Sequence, residues 1–569
     1  MSRTVPVRMA TRLQNRFPRP TGGSASSRAG APASNQSPDR PSRGSARRVW
    51  LLAFAAFGLL AAAWSLAMPA DGTTDERQHI ERAYGAVTGH LLGPRGVDPL
   101  VHRPGAAFDV PKSLLPPNAL CVYFPNFHQD RSWVASPASC QRPAPATHAK
   151  VRVVSWVGRY NPLFYLAVGG PLRFWPDLTG IVLSRLLAAA LSAAFVATAA
   201  TIAVRSRRPL LLAAMLTVLT PTTVALSSTV NPNGVEITAA LLLWVCLVDL
   251  ARPARPRTPD RLLSPPVLLG LAAVSGAVVL TVRATGPFWF ALAVCGALAV
   301  ADRGRIKELL RRRAARLVAA GWVLTGLLAM AWNVVSGNNK VTVTLIAVHP
   351  ADHRLSTLLR VIAVDRVGGW FAEAFALDVS ASWVPMLWAA LSAAVLVPLA
   401  MLRARRVLLT ALAVAAASLG ITVALEVAFL GTLGWSQYGR YFLPGLAGVA
   451  VLLAAGPAGD AGLPPVLCRR LPRLFALGAA GCQLWVLMIE MTRVQSGPTA
   501  PLNPLAGRWH PAVGSPAVLV VAALGAVALI ALVWNATGGA AGSAVSAAAS
   551  VPGPYHTTIP REVPEAANS

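Results

Sequence analysis

The sequence predicts an all-α integral membrane protein with about twelve transmembrane helices. Of its 569 residues, 54% are hydrophobic and only 13% are charged. Apolar runs of the length that crosses a bilayer, about 20 residues, recur along the chain. The net charge of +28 comes from basic residues that lie between these runs, whereas nucleic-acid binding needs them gathered on one soluble face. The composition therefore argues against a nucleic-acid partner and predicts a chain surrounded by membrane lipid.

Two disordered tails are predicted around a membrane domain at residues 49–535. Residues 1–48 hold ten arginines and one acid, Asp39, among Ser, Pro, Gly and Ala, a composition typical of disorder. The first apolar run, 49–68, is too long for the core of a cleaved signal peptide, so we expect an uncleaved anchor. Residues 536–569 form the second tail. The other spans are predicted at 178–204, 209–228, 234–251, 265–282, 284–301, 316–335, 383–402, 407–430, 441–457, 473–491 and 514–535.

One further apolar segment, 161–175, determines the topology because counting it as a span inverts every later loop. It is short and bracketed by prolines. If it does not cross, the positive-inside rule is obeyed by the arginine clusters at 205–208, 252–261, 303–316, 403–406 and 469–473. The alternate short loops then hold only Arg283 and Arg440. We therefore predict twelve spans with both tails cytoplasmic, an interfacial or re-entrant element at 161–175, and large extracytoplasmic loops at 69–177 and 336–382.

Both large loops carry a predicted local feature. In the second, apolar residues recur at helical spacing between charged positions, at Leu355, Leu358, Leu359 and Ile362. This pattern fits an amphipathic helix on the membrane surface and equally a helix packed against other outer loops. In the first, Cys121 and Cys140 can form a disulfide if the loop is extracytoplasmic.

Four polar signatures fall on the predicted extracytoplasmic side. They are Asp-Glu-x-x-His at 75–79, RYNPLFY at 159–165, STVNPNGVE at 228–236 and WSQYGRYFLP at 435–444. The first belongs to a charged cluster just after span one that contains Asp71, Asp75, Glu76, His79, Glu81 and Arg82. Loops between helices have no general reason to keep polar and aromatic residues on one face. We therefore predict an active surface there.

The order of these motifs resembles that of domain-of-unknown-function family 2142. The residues that carry the resemblance are Pro69, the acidic motif with Arg-Ala-Tyr at 82–84, Tyr-x-Pro-Leu-x-Tyr at 160–165, Asn-Pro-Asn-Gly at 231–234 and Gly-Arg-Tyr-x-x-Pro at 439–444. The resemblance covers roughly residues 50–535. This family of bacterial polytopic proteins is grouped with the C-type (GT-C) glycosyltransferases. It implies a plasma-membrane enzyme of cell-envelope assembly that transfers a sugar from polyprenyl phosphate to a glycan or protein acceptor.

The resemblance also implies roles for individual residues. Asp75 corresponds to the general base, with Glu76 as its partner or as a ligand of a divalent metal. Arg440 is expected to bind the carrier phosphate, with Arg82, Arg159 and Arg185 as further candidates. The remaining predicted substrate-binding residues are His79, Tyr160, Asn231, Gln437 and Tyr441. The family motif reads Pro-x-Asp-Glu, and the longer spacing here makes Asp71 a competitor of Asp75 for the catalytic position.

Other interpretations stay open. The acidic pair can be ordinary polar residues at a membrane exit, Asn231 and Asn233 a tight turn, and Arg440 an interfacial anchor. A transporter or flippase of lipid-linked saccharides would carry functional charges along a path through the spans, which are poor in charge. A membrane assembly factor without catalysis is the third class. No motif identifies the sugar, the acceptor or a metal.

Overall fold

The computed structural model shows a nearly all-helical chain, which confirms the predicted fold class. It describes residues 43–98, 103–122, 136–252, 261–338, 354–377, 383–433, 435–454 and 463–538. The predicted tails therefore lie outside the described residues, apart from their inner ends at 43–48 and 536–538, which are helical.

The first part of the chain places a segment of short elements between two long helices. In chain order the elements are α1 (Arg43–Ala67), α2 (Glu76–Val87), β1 (Arg95–Val97), β2 (Pro104–Pro111), β3 (Lys150–Ser155), α3 (Pro162–Val168), α4 (Gly170–Phe174) and α5 (Leu178–Arg205). Short 3-10 turns at Lys112–Leu114, Ala119–Val122 and Ala138–Cys140 join β2 to β3.

The middle part is entirely helical where it is described. Its elements are α6 (Pro209–Leu216), α7 (Pro221–Ser227), α8 (Pro232–Ala251), a 3-10 turn at Arg261–Leu263, α9 (Pro265–Val282), α10 (Gly286–Val300), α11 (Arg303–Arg311) and α12 (Arg313–Ser336). The last part contains α13 (Leu355–Val361), a π-helical turn at Ile362–Arg366, α14 (Val367–Ala376), α15 (Trp383–Met401), α16 (Arg405–Leu433), a 3-10 turn at Gly439–Phe442, α17 (Leu443–Ala454), α18 (Pro465–Ser496) and α19 (Ser515–Gly538).

All twelve predicted spans are helical in their described residues, but three of them are not straight helices of full length there. In the described part of the chain, nine helices are long and apolar enough to cross a bilayer, namely α1, α5, α8, α9, α12, α15, α16, α18 and α19. The predicted span 209–228 is the pair α6 and α7, bent by 75°. Pro221 explains the bend because it lacks an amide donor, and Thr220 caps the new helix by accepting from Thr223 N. The spans at 284–301 and 441–457 are the shorter helices α10 and α17.

The predicted first loop contains an antiparallel sheet that the all-α prediction does not include. Its strand order is β1-β2-β3, with Gly96 opposite Gly105 and Phe108 opposite Val153. The sheet is fastened to α2 because Gln78 O accepts from the Ser155 hydroxyl at 2.7 Å. The Cys121–Cys140 disulfide, with Cα atoms 6.2 Å apart, joins two of the 3-10 turns.

The two doubtful segments are short helices. Residues 161–175 form α3 and α4, of seven and five residues, which are too short to cross a bilayer. In the second loop, Leu358 and Ile362 are buried whereas Leu355 and Leu359 are exposed. The following helix, α14, packs against the Gly439–Phe442 turn, and Trp370 Nε1 donates to Gln437 O at 2.8 Å. This half of the loop is therefore held against protein.

Candidate functional site

One cavity contains residues of all four polar signatures. It lies at the end of the helix bundle that carries residues 68–177 and 354–377, which we name the loop end. The cavity has a volume of about 300 Å³. Its walls include Asp75, His79, Trp156, Arg159, Tyr160, Asn233, Arg283, Gln437, Tyr438 and Tyr441. We refer to it as the loop-end cavity.

Asp75 presents its carboxylate to this cavity. It stands directly before α2 in a left-handed backbone conformation, with φ at 60°, which Asp and Asn tolerate better than most residues. Its side chain makes no capping hydrogen bond to α2. The side chain is 34% exposed, and Oδ2 lies 3.4 Å from Arg440 Nη2. Among the described residues that line the cavity, Asp75 is the only carboxylate.

Arg440 lies behind the cavity wall rather than in it. Its Nη1 donates to Glu373 Oε1 at 2.6 Å, and its guanidinium lies 4.2 Å from the centre of the Tyr438 ring. Glu373 also accepts from Gly439 N at 2.7 Å, so one carboxylate fixes both the turn and the arginine. Sequence reasoning did not nominate Glu373. Its signal is an acid within the otherwise apolar stretch of α14.

Arg283 is a second cation of the cavity that sequence reasoning did not include among the site residues. It donates to the Asn233 side-chain oxygen and forms an ion pair with Glu236 at 3.3 Å. Its guanidinium lies 4.3 Å from the centre of the Tyr441 ring, and that of Arg440 lies 5.1 Å from the same ring. The two arginines of the short predicted outer loops therefore converge on one tyrosine. Their isolation in the sequence was the available signal.

His79 lines the cavity as a neutral ring. Its Nδ1 lies 2.7 Å from the Tyr165 hydroxyl, and the two rings are stacked. Burial, together with the positive charges of Arg283 and Arg440, lowers the pKa of His79 to about 3. The histidine is therefore uncharged at neutral pH.

Two of the further arginine candidates differ in position. Arg159 lines the cavity and donates to Ser336 O at 2.5 Å. Arg82 is buried outside the lining, where it donates to Tyr160 O at 2.9 Å. Burial lowers the pKa of Arg82 to about 10. Arg82 thus positions the backbone beside Arg159 and does not face a substrate.

Glu76 and Arg185 bind each other and are also outside the cavity lining. Both side chains are fully buried, and Arg185 Nε donates to Glu76 Oε1 at 2.7 Å. Arg185 also donates to the carbonyls of Met68 and Pro69 at 2.8 and 2.7 Å. This pair fastens the start of α2 to the end of α1. In this arrangement neither group faces the cavity.

Asn231 acts as a helix cap. Its Oδ1 accepts from Asn233 N at 3.1 Å, and its Nδ2 donates to Thr74 O at 3.3 Å. The second bond fixes the residue that precedes Asp75. Asn231 therefore positions Asp75, whereas Tyr160, Gln437 and Tyr441 face the cavity.

Comparison with known proteins supports the resemblance. The family model described as "Predicted membrane protein (DUF2142)" matches residues 57–449, well over half of the chain. The chain belongs to this family. The matched region of this DUF2142 protein contains every residue of the loop-end cavity. No curated protein and no solved structure matches the chain.

Asp71, the competitor of Asp75, is a buried acid outside the cavity lining of this DUF2142 protein. It is also in a left-handed conformation, with φ at 56°, and its Oδ2 has no hydrogen-bond partner. Burial raises the pKa of Asp71 to about 7, although the nearby charge of Arg77 opposes this rise. Glu81, which pairs with Arg77, has its pKa raised to about 8 by burial. Of the two candidates for the catalytic position, Asp71 and Asp75, only Asp75 therefore faces the cavity.

Replacing Asp71 by asparagine is expected to stabilise the protein at alkaline pH. Because the folded-state pKa is about 7 instead of the ordinary 3.8, the folded state holds more protons between these values, and stability falls as pH rises through that window. The variant lacks this loss. Its melting temperature in detergent is expected to exceed that of the wild type by a few degrees at pH 8 and to match it only below the ordinary pKa of 3.8, where Asp71 is protonated in both the folded and the unfolded state.

The control for this experiment is Asp109→Asn, since Asp109 is exposed on β2. It is expected to leave the pH dependence of melting unchanged. An Asp71→Asn protein with the wild-type pH dependence would contradict the assignment of Asp71 as a buried carboxyl group with a raised pKa.

Proposed function

We propose that this membrane protein transfers a sugar from a polyprenyl-phosphate carrier to an acceptor hydroxyl in the loop-end cavity. The observation that supports this most is the partly exposed carboxylate of Asp75, 3.4 Å from the buried cation Arg440. A base and a cation next to each other are what the reaction needs. The base takes the proton of the acceptor, and the cation stabilises the charge that develops on the leaving phosphate.

The reaction balances with the groups that the cavity offers. The acceptor oxygen attacks the anomeric carbon as its proton passes to Asp75. The bond between that carbon and the phosphate oxygen breaks, and polyprenyl phosphate leaves with both electrons. Attack opposite the leaving group inverts the anomeric centre. Arg440 and Arg283 supply positive charge on the carrier side, each held by a carboxylate, Glu373 and Glu236 respectively.

The aromatic residues of the cavity suit a sugar ring. Tyr160, Tyr438, Tyr441 and Trp156 line it, and aromatic faces pack against the apolar faces of sugars while their polar tips donate hydrogen bonds. The Tyr438 and Tyr441 rings also stack on the two arginines. The sugar and its phosphate would thus contact one continuous surface.

The described residues do not provide a set of side chains that could coordinate a divalent metal. There, no three His, Cys, Asp or Glu side chains come together in a way that holds a metal ion. Glu76, the predicted second acid, is bound to Arg185. We therefore derive no step through a metal.

The loop end is proposed to face the outside of a bacterial plasma membrane, with both termini cytoplasmic. The support is the distribution of charge, because the described members of the five arginine clusters lie at the opposite ends of the spans. A reporter enzyme fused after Arg208 is expected to register as cytoplasmic, whereas one inserted after Asn338 registers as external. An external signal at Arg208 would contradict this orientation.

The reaction is tested by following carrier release. Purified protein in liposomes is incubated with undecaprenyl phosphate bearing mannose, glucose or arabinose, together with mixed short glycans as acceptors. Release of free undecaprenyl phosphate from one donor, dependent on an acceptor, is the expected result. Movement of the intact donor across the bilayer without release would identify a flippase instead. Donor binding with neither release nor movement would favour a non-catalytic assembly factor.

A further inference from the structure

We infer that the loop-end cavity holds a second anion site, formed by Arg103 and Arg159 with Arg95 beside them, that binds an anionic acceptor glycan. The acceptor would carry phosphate or carboxylate groups along its chain. The identity of the ligand as an acceptor rests on the proposed function. The existence of the site rests on the arginine charges of the cavity lining.

The lining of the cavity carries more positive charge than the proposed sugar transfer requires. Three arginines line it, Arg103, Arg159 and Arg283, against one carboxylate, Asp75. Arg283 is paired with Glu236 and belongs to the carrier side. Arg103 and Arg159 remain as excess charge in a concave wall, where low-dielectric surroundings strengthen attraction to anions.

These arginines have no carboxylate partner in the described part of the chain. Arg159 donates only to the carbonyls of Ser336 and Gly105. Arg103 lies 5.5 Å from the centre of the Trp156 ring, an arrangement that leaves the edge of the guanidinium free for a ligand. Arg95 reaches Gly337, another lining residue.

The arginines also repel one another. Burial lowers the pKa of Arg159, and the neighbouring positive charge of Arg95 lowers it further. Gathering like charges without a counter-charge is unfavourable, and a bound anion removes that cost. Phosphate and carboxylate groups also match the planar donor geometry of arginine.

The position of this site separates it from the carrier. Arg95 lies in β1, Arg103 immediately precedes β2 and Arg159 follows the end of β3 by four residues, so all three lie in or beside the small sheet of the loop segment. Arg283 and Arg440, in contrast, lie at the ends of apolar helices. A carrier lipid approaches from the helices, whereas a ligand that meets the sheet approaches from water. We therefore assign the arginines of the sheet to the acceptor.

The site is tested by binding, without turnover. Full-length protein in neutral detergent is titrated with a hexamer of poly(glycerol phosphate) and, separately, with the neutral maltohexaose. The hexamer is expected to bind at least tenfold more tightly, with an affinity that falls as salt rises. Arg103→Gln/Arg159→Gln is expected to weaken hexamer binding about tenfold or more and to flatten its salt dependence. Arg103→Gln alone, which removes no backbone hydrogen bond, is expected to weaken binding severalfold.

The matched control is Lys150→Gln/Arg152→Gln, which removes the same charge from exposed positions of β3. It is expected to leave hexamer affinity within twofold of the wild type. Equal weakening by both double variants, or equal binding of the neutral glycan, would overturn the inference. Asp75→Asn is expected to keep hexamer binding. Loss of transfer in that variant together with an ineffective arginine variant would leave the proposed reaction standing and refute only the anion site.

Discussion

Replacing Asp75 by asparagine is expected to slow carrier release by roughly 10²- to 10⁴-fold, the range that a positioned general base contributes. Asparagine preserves the size of the side chain and tolerates the left-handed backbone at this position, where φ is 60°. Arg440 is bound to Glu373 at 2.6 Å, a bond that the substitution does not touch. The loss would therefore report the missing base rather than a misfolded site. Initial rates at saturating donor measure it.

The matched control is Asp71→Asn, the same substitution four residues earlier. Asp71 has a nearly identical φ of 56° but is buried outside the cavity lining, so its variant is expected to retain transfer. If Asp71→Asn abolishes release and Asp75→Asn does not, the catalytic assignment is reversed. Equal activity of Asp75→Asn and the wild type would remove Asp75 from the mechanism.

Replacing Glu76 by glutamine is expected to cost about 3–5 kcal/mol of stability, because it removes the carboxylate that pairs with the buried guanidinium of Arg185. Both side chains are fully buried and joined by two hydrogen bonds. Arg185→Gln is expected to have a comparable effect. It leaves the buried carboxylate of Glu76 without its arginine, and it removes the hydrogen bonds to the carbonyls of Met68 and Pro69. The readouts are the yield of monodisperse protein and its melting temperature in detergent.

A double variant and a surface control distinguish the loss of this buried ion pair from a general sensitivity of the protein to the removal of charges. Glu76→Gln/Arg185→Gln removes both charges and is expected to lose less stability than the sum of the single losses. Glu308→Gln breaks ion pairs with Arg305 and Arg312 at a side chain that is 50% exposed. That variant is expected to melt like the wild type. Additive losses in the double variant would contradict a coupled buried pair.

The spans were predictable because apolar length alone specifies them. A run such as 178–204 has no stable alternative to a helix in lipid, since its backbone groups need internal partners. Three departures depend on local chemistry. Thr220-Pro221 breaks one span into α6 and α7, whereas α10 is shorter than a bilayer requires, as is the described part of α17. The strands β2 and β3 were missed because their pairing joins residues about forty positions apart.

The side of the membrane that carries the site was predictable from the sequence. The contacts between the residues of the site were not. The predicted topology puts the acidic motif and the Gly-Arg-Tyr motif on the same side of the membrane, and in the structure the Asp75 carboxylate lies 3.4 Å from the Arg440 guanidinium. It could not reveal that Glu76 is taken up by Arg185, which is 109 positions away. Nor could it reveal Glu373 as the partner of Arg440. Such pairings depend on how the helices pack, which hydrophobic pattern does not encode.

The bonds of Arg185 also bear on how Asp75, the proposed base, moves. Loops at membrane surfaces commonly fluctuate on nanosecond to microsecond timescales, independently of the helices that they join. Here one guanidinium from α5 holds the end of α1 and the first residue of α2 together, and Asp75 is the neighbour of that residue. Asp75, the proposed base, is thereby coupled to the rigid-body motion of two spans. Its displacements relative to the carrier site are then those of packed helices, small in amplitude and slow.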